Sequence, residues 1–149
     1  MTRYSLADHI LTVTIPANLA NEFGVNTLTI GGEGSYTSSI SVSLSSQLWS
    51  TEGDASGSWA HNKNLNRTGT VTIQINQLSE KIAKFITLCN LYYKSNVDYD
   101  GLTLVVESVN NGTVATCTDC YIQGIPSQDF GASAANQQWT FTCGKIIFN

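Results

Sequence analysis

Apolar and polar residues alternate along much of this chain, and the clearest stretch starts at residue 35, reading Ser-Tyr-Thr-Ser-Ser-Ile-Ser-Val-Ser-Leu-Ser-Ser. Ile40, Val42 and Leu44 fall on one side, and Ser39, Ser41, Ser43 and Ser45 on the other. A period of two is the signature of a strand. Residues 68–76 repeat the pattern, with Val71, Ile73 and Ile75 set against Thr70, Thr72, Gln74 and Asn76. The two runs predict an antiparallel hairpin whose tip spans 47–67, far longer than the roughly two to five residues of most hairpin loops.

Upstream, residues 8–15 read as a strand stopped by Pro16, 17–24 as a connection and 27–30 as a short strand before Gly31-Gly32. Downstream the period changes. Leu78, Ile82, Phe85, Ile86, Cys89 and Tyr93 follow helical spacing, with Asn76 or Ser79 as the cap, Glu80 in the first turn and Lys94 near the end. Leu88, Leu91 and Tyr92 widen the apolar face, so the helix is expected to touch more than its own sheet. Three strands complete the chain, at 102–109, 113–123 and 137–148. Asn110-Asn111-Gly112 forms the turn between the first two, a loop around Pro126 precedes the last, and Trp139, Phe141 and Cys143 share one face. The order β-β-β-β-α-β-β-β predicts a mainly β fold: an antiparallel β-sandwich or partly closed barrel with one flanking helix and a long hairpin loop.

The 149 residues fit a single domain over 1–149, able to bury roughly two thirds of its unfolded surface without disulfide or metal staples. Charged residues make up 12% of the chain, against about 25% in ordinary soluble domains. Ser, Thr, Asn and Gln replace them, giving a polar surface that repels copies of itself only weakly. The net charge of -4 argues against a nucleic-acid-binding domain, which would cluster Lys and Arg. The first residues show no signal-peptide core, because Asp8 interrupts the candidate stretch, and no run approaches the ~18 apolar residues of a membrane span. Folding in a cytoplasm, with the four cysteines reduced, is the expectation.

Catalytic chemistry finds little support. Cys117-Thr118-Asp119-Cys120 is a lone CxxC inside a predicted strand; Cys89, Cys143, His9 and His61 are its only candidate co-ligands for zinc, so packing is the simpler role. His9 and His61 read as surface residues. Asp98, Asp100 and Glu107 lack the spacing of a calcium loop, and Asp98-Tyr99-Asp100-Gly101 reads as a turn. The sequon Asn111-Gly112-Thr113 carries no meaning without secretion. No nucleophile elbow, phosphate loop or zinc-protease motif occurs. No catalytic residue, cofactor or metal is expected.

This organisation resembles that of the tail tube proteins of contractile-tailed bacteriophages and related injection machines. The resemblance covers most of the chain: a hairpin with alternating small polar residues, a long tip, one amphipathic helix and further strands. The run from Trp59 to Ile75 followed by the helix also looks like small structural proteins of phage tails. It implies a non-enzymatic subunit that forms six-membered rings stacked into a tube, with inner sheets joined around a channel. The implied partners are copies of itself, the tail sheath protein, the tape-measure protein and baseplate, and double-stranded DNA passing through the channel without specific binding. The implied location is the virion tail, after assembly in the host cytoplasm, with no membrane involved.

On that resemblance Ser39, Ser41, Ser43, Ser45, Thr70, Thr72, Gln74 and Asn76 are the expected channel-lining residues. Trp49, Glu52, Asp54, Trp59, Lys63 and Arg67 are expected to dock the tip on another subunit. Leu88, Leu91 and Tyr92 are expected to form a helix interface. Two rival readings are kept: a carbohydrate-binding β-sandwich built on Trp49, Trp59 and Trp139, and a single-ring tail connector or terminator.

Overall fold

The computed structural model describes residues 5–31, 36–94, 99–109 and 112–149. A short 3-10 turn, Leu6–Asp8, leads into β1 (His9–Thr14), α1 (Ala17–Phe23), β2 (Thr27–Gly31) and β3 (Thr37–Leu44). Then follow β4 (Trp49–Gly53), β5 (Trp59–Lys63), β6 (Gly69–Asn76), α2 (Lys81–Tyr92), β7 (Leu102–Ser108), β8 (Gly112–Ile122) and β9 (Asn136–Phe148). Seven strands form one sheet in the order β2-β1-β7-β8-β9-β6-β3, while β4 and β5 pair only with each other. Every pairing is antiparallel.

The sheet curls into a half-barrel, so the partly closed barrel, rather than two stacked sheets, is the architecture formed. Chain length alone demands a curl. The edge strands β2 and β3 are consecutive in sequence, and Gly31 to Thr37 can span only about 22 Å when extended. Six inter-strand steps in a flat sheet would separate the edges by roughly 29 Å.

Strand β8 carries an irregularity at Asp119, which lies beside Gly144 of β9. Asp119 takes a left-handed φ of 56°, and the pairing of β7 with β8 slips between Leu102 and Leu104. Side-chain facing flips there: Cys117 and Cys120 are both buried, with Thr118 and Asp119 exposed between them. Glycine makes room for this bend, since a Cβ on Gly101 would come within 2.5 Å of Asp119 Oδ1.

The predicted 35–46 and 68–76 strands pair as expected, with Ile40 opposite Ile73 and Val42 opposite Val71. Two elements differ from the sequence reading. The 17–24 connection contains α1, which follows Pro16 as its N-cap, buries Leu19 and Ala20 and closes on Gly24 at φ 96°. A left-handed residue, usually glycine, commonly ends a helix. The 47–67 tip is a second hairpin rather than a loop, formed by β4 and β5.

The core fills the curl. Phe85 of α2 contacts Trp139 at 5.3 Å and Phe141 at 5.9 Å between ring centroids. Val71, Ile73 and Ile75 of β6 and Leu102 and Leu104 of β7 are fully buried beside them. The buried indole N–H of Trp139 donates to Gln137 Oε1 at 3.2 Å, which removes the penalty of an unpaired polar group. Neither expected residue is the cap of α2: the N-cap is Glu80, without a side-chain cap bond, and Asn76 Oδ1 and Ser79 Oγ instead accept from the Leu78 and Lys81 amides at 3.1 and 3.3 Å in the preceding turn.

Candidate functional site: a polar sheet face and a projecting ribbon

With α2 and the apolar side chains inside the curl, the opposite face of β3 and β6 turns to solvent. Register places Ser39 opposite Gln74, Ser41 opposite Thr72 and Ser43 opposite Thr70. Ser43 Oγ and Thr70 Oγ1 lie 3.3 Å apart, and Ser45 Oγ bonds the carbonyl and hydroxyl of Thr68 at 2.9 and 2.8 Å. Asn76 Nδ2 donates to Asn136 Oδ1 at 3.0 Å. None of the eight residues expected on this face is packed in the core: four serines and Gln74 are exposed, and Thr70, Thr72 and Asn76 are half-buried.

The surface is wider than the sequence reading made it. Strand β9 lies beside β6, with Thr142 opposite Thr70, Thr140 opposite Thr72, Gln138 opposite Gln74 and Asn136 opposite Asn76. The signal was available, because these residues alternate with the apolar Trp139 and Phe141. Together β3, β6 and the Asn136–Thr142 part of β9 present a three-strand patch of hydroxyls and amides, and the exposed Lys145 lies beyond it on β9.

At one end of this patch the β4–β5 ribbon projects, exposed along both strands. Register puts Trp49 and Lys63, Thr51 and His61, and Gly53 and Trp59 on one face, leaving Ser50, Glu52, Ala60 and Asn62 on the other. The Lys63 ammonium stands 5.6 Å from the centre of the Trp49 ring, within cation–π range. Thr51 Oγ1 and His61 Nδ1 are 2.9 Å apart. Neither tryptophan folds back on the domain.

Four of the expected contact residues have partners within their own subunit. Asp54 Oδ1 accepts from the Ser56 hydroxyl and from the Ser56 and Ser58 amides, closing the ribbon turn. These bonds hold its carboxyl below the usual range. Arg67 Nε donates to the Ile146 carbonyl at 2.8 Å, which ties it to β9. Leu88 is fully buried because the curl wraps that side of α2. Tyr92 is half-buried, stacks edge-on with Tyr99 and Tyr121, and donates to the Asp100 carbonyl at 3.0 Å. The structure thus removes Leu88 and Tyr92 as free interface residues, while half-buried Leu91 and exposed Tyr93 remain on the surface.

The remaining candidates do not converge on a reaction. The four cysteines are free and buried. A hydrogen bond with Cys143, and then burial, push the Cys117 thiol far up, and burial pushes Cys89 up to about 11. Such thiols are packing groups, not nucleophiles. Among the described residues no group of three potential ligands could hold a metal. His9 Nδ1 lies 3.0 Å from the Ser5 carbonyl. Asp98 and Asn111 lie outside the described residues. Trp139 is in the core, and Trp49 and Trp59 stand four ribbon positions apart, roughly 13 Å. The three tryptophans therefore form no common platform for a sugar.

The family profile described as Bacteriophage PhiTE tail tube protein matches residues 1–148. No match occurs among curated proteins. The fold is similar to that in the cryo-EM structure of the sheath-tube complex of an extracellular contractile injection system, PVC, in its extended state. Identity there is 13% and the TM-score 0.57, with 99% of this chain and 91% of that one covered. The PVC sheath/tube terminator in the extended state gives 11%, a TM-score of 0.56, and coverage of 100% and 98%. The anti-feeding prophage cap, a tube terminating cap, gives 11%, 0.53, and coverage of 100% and 93%.

Proposed function

The chain belongs to the bacteriophage PhiTE tail tube protein family, and we propose on that premise that its copies close into six-membered rings stacked as the inner tube of a contractile tail. Membership in a family of structural tube proteins makes it a structural component and not an enzyme. The observation that carries the tube reading is the uncharged patch on β3, β6 and β9. Strong attraction to DNA phosphates requires Lys or Arg; hydroxyls and amides wet a channel without gripping what moves through it. Double-stranded DNA and the tape-measure protein are the proposed cargo.

The sheet edges support ring closure. Strands β2 and β3 end the sheet, and an unpaired edge offers its backbone N–H and C=O groups to another chain. The inward face of β3 is also poorly covered, with Ile40 and Val42 only half-buried and Leu44 exposed. A neighbour seated on that edge would bury this apolar surface and continue the sheet around the channel. Cyclic head-to-tail contacts close such a ring. The tail sheath protein is the proposed outer partner, the baseplate the terminal one, and the virion tail the place of action after assembly in the host cytoplasm.

Electron microscopy of the purified protein tests the reading. Hollow tubes of stacked rings are expected. Single rings would make the chain a terminator, the role carried by two of the structures that share its fold. Monomers at high concentration would overturn ring formation.

A further inference from the structure

Three of the four cysteines meet between β8 and β9, on the buried face that Trp139 and Phe141 share. Cys120 stands directly opposite Cys143 in the register of the two strands. Cys117 reaches the same thiol, so Cys143 hydrogen-bonds with both Cys117 and Cys120.

The backbone ladder fixes how close the opposed pair comes. The Gln123 amide donates to the Thr140 carbonyl at 2.8 Å. These residues continue the register that sets Tyr121 opposite Thr142 and Ile122 opposite Phe141, so they form a hydrogen-bonded pair. In an antiparallel ladder such pairs alternate with non-hydrogen-bonded ones, whose Cα atoms are about 4.5 Å apart and whose side chains approach more closely. Counting back from Gln123, Cys120 and Cys143 form a non-hydrogen-bonded pair. A disulfide needs Cα atoms about 4.4–6.8 Å apart, and these strands meet that condition without moving.

Asp119 creates the juxtaposition. At the other end of the two strands the Asn149 amide donates to the Val114 carbonyl at 2.9 Å, which sets the opposite phase of the ladder. Unbroken alternation from the buried Cys117 would turn Cys120 outward. The left-handed φ of 56° at Asp119 breaks the alternation and turns Cys120 in, onto Cys143.

We propose that Cys120 and Cys143 are an oxidisable pair that closes into a disulfide between β8 and β9 once the protein has left a reducing cytoplasm. The setting rests on the tail-tube reading, which carries the chain from the host cytoplasm, where thiols stay reduced, to an oxidising exterior. Dissolved oxygen is the oxidant. Each thiol gives up its proton, the two sulfurs join and release two electrons, and oxygen takes up the electrons and both protons as hydrogen peroxide. Cys117 is the lesser partner, because its opposite residue is Ile146 and not Cys143.

The reaction is slow by construction. The bond to Cys117 pulls the Cys143 thiol down, but the bond to Cys120 and burial outweigh it and push it up to about 12. Thiolate is the reacting form, and Cys143 is 5% exposed and Cys120 0%. Reduced, the thiols pack as small apolar groups; the staple follows folding and assembly. It encloses residues 121–142, ties the 123–135 loop at its base, and stabilises by constraining the unfolded chain.

The assembled protein tests this when one half is held in reductant and the other under air with copper-phenanthroline, and both are then denatured in an alkylating agent. The aerated chain should carry alkyl groups on two fewer cysteines. Chymotryptic cleavage at Trp139 or Phe141 should leave a fragment bearing Cys143 joined to one bearing Cys120. Cys117→Ala should still form the bond and Cys120→Ala should not, with circular dichroism reporting the fold of each. The oxidised protein should melt roughly 5–10 °C above the reduced one, a gap absent from Cys120→Ala. Four alkylated cysteines after aeration, or the same linkage yield in Cys120→Ala, would overturn the pair. Pairing is read by mass and assembly by microscopy of the same sample, so failure to pair leaves the tube reading standing, and failure to form tubes removes the virion setting while the mass still decides the bond.

Discussion

Phe85 of α2 lies against Trp139 of β9, ring centroids 5.3 Å apart and planes tilted by 44°. Both side chains are fully buried. The contact seats the helix in the curl of the sheet, and so turns the hydroxyl and amide face of β6 and β9 outward. Phe85→Ala should cost about 3–5 kcal/mol, the usual penalty for emptying an aromatic site in a core. Urea denaturation checks this. A loss below about 1 kcal/mol would mean the helix is held elsewhere.

Trp49 and Trp59 are exposed on the ribbon, so truncating them should spare the subunit. Trp49→Ala and Trp59→Ala are expected to keep the wild-type melting temperature and to fail in building long tubes. Each lost anchor weakens a contact by about 2 kcal/mol or more. Tube length by microscopy, beside a thermal melt, separates the two effects. Normal tubes from both variants would rule the ribbon out as an assembly element.

Placing cations on the polar face should spoil the conduit without spoiling the fold. Ser41 and Thr72 are opposite each other on the solvent side, where a lysine head can remain in water. Ser41→Lys and Thr72→Lys should assemble normally and slow DNA ejection, increasingly so at low salt, where phosphate attraction strengthens. Unaltered ejection kinetics from both variants at every salt concentration would contradict the channel assignment.

Acid should loosen the contact between α1 and the chain between α2 and β7. Glu22 of α1 accepts from the Tyr99 hydroxyl at 2.6 Å and from Lys94 Nζ at 3.3 Å. The Tyr99 bond first, and then Lys94, lower its carboxyl below the ordinary 4.5. A carboxyl depressed in the folded state contributes stability that is present above its unfolded value and lost as pH falls through the folded value. Thermal stability should therefore drop below about pH 4.5, with a shallower drop in Glu22→Gln. Identical pH profiles for the two proteins would show that this carboxylate plays no part.

What could be read from the chain was what depends on neighbouring residues. The alternation in 35–46 and 68–76 specified two strands and their faces, because side chains on a strand alternate whatever lies beyond it. The longer period through Ile82, Phe85 and Cys89 specified α2 for the same reason, while Leu78 and Tyr93, counted on the same stripe, fall outside the helix and are exposed. Short or polar elements escaped. Helix α1 has 7 residues, too few for a period to show, and the ribbon strands bury nothing, so no apolar pattern marks them.

Tertiary structure decided the rest. The seven-stranded sheet curls into a half-barrel around α2. That curl buries Leu88 and turns Tyr92 toward Tyr99 and Tyr121. It also brings β9 beside β6, which adds Gln138, Thr140 and Thr142 to the polar face, and gives Arg67 the Ile146 carbonyl as its partner. These partners are 7 to 79 residues distant in the chain. Local periodicity says which side of an element is apolar, but what covers that side depends on how the sheet closes.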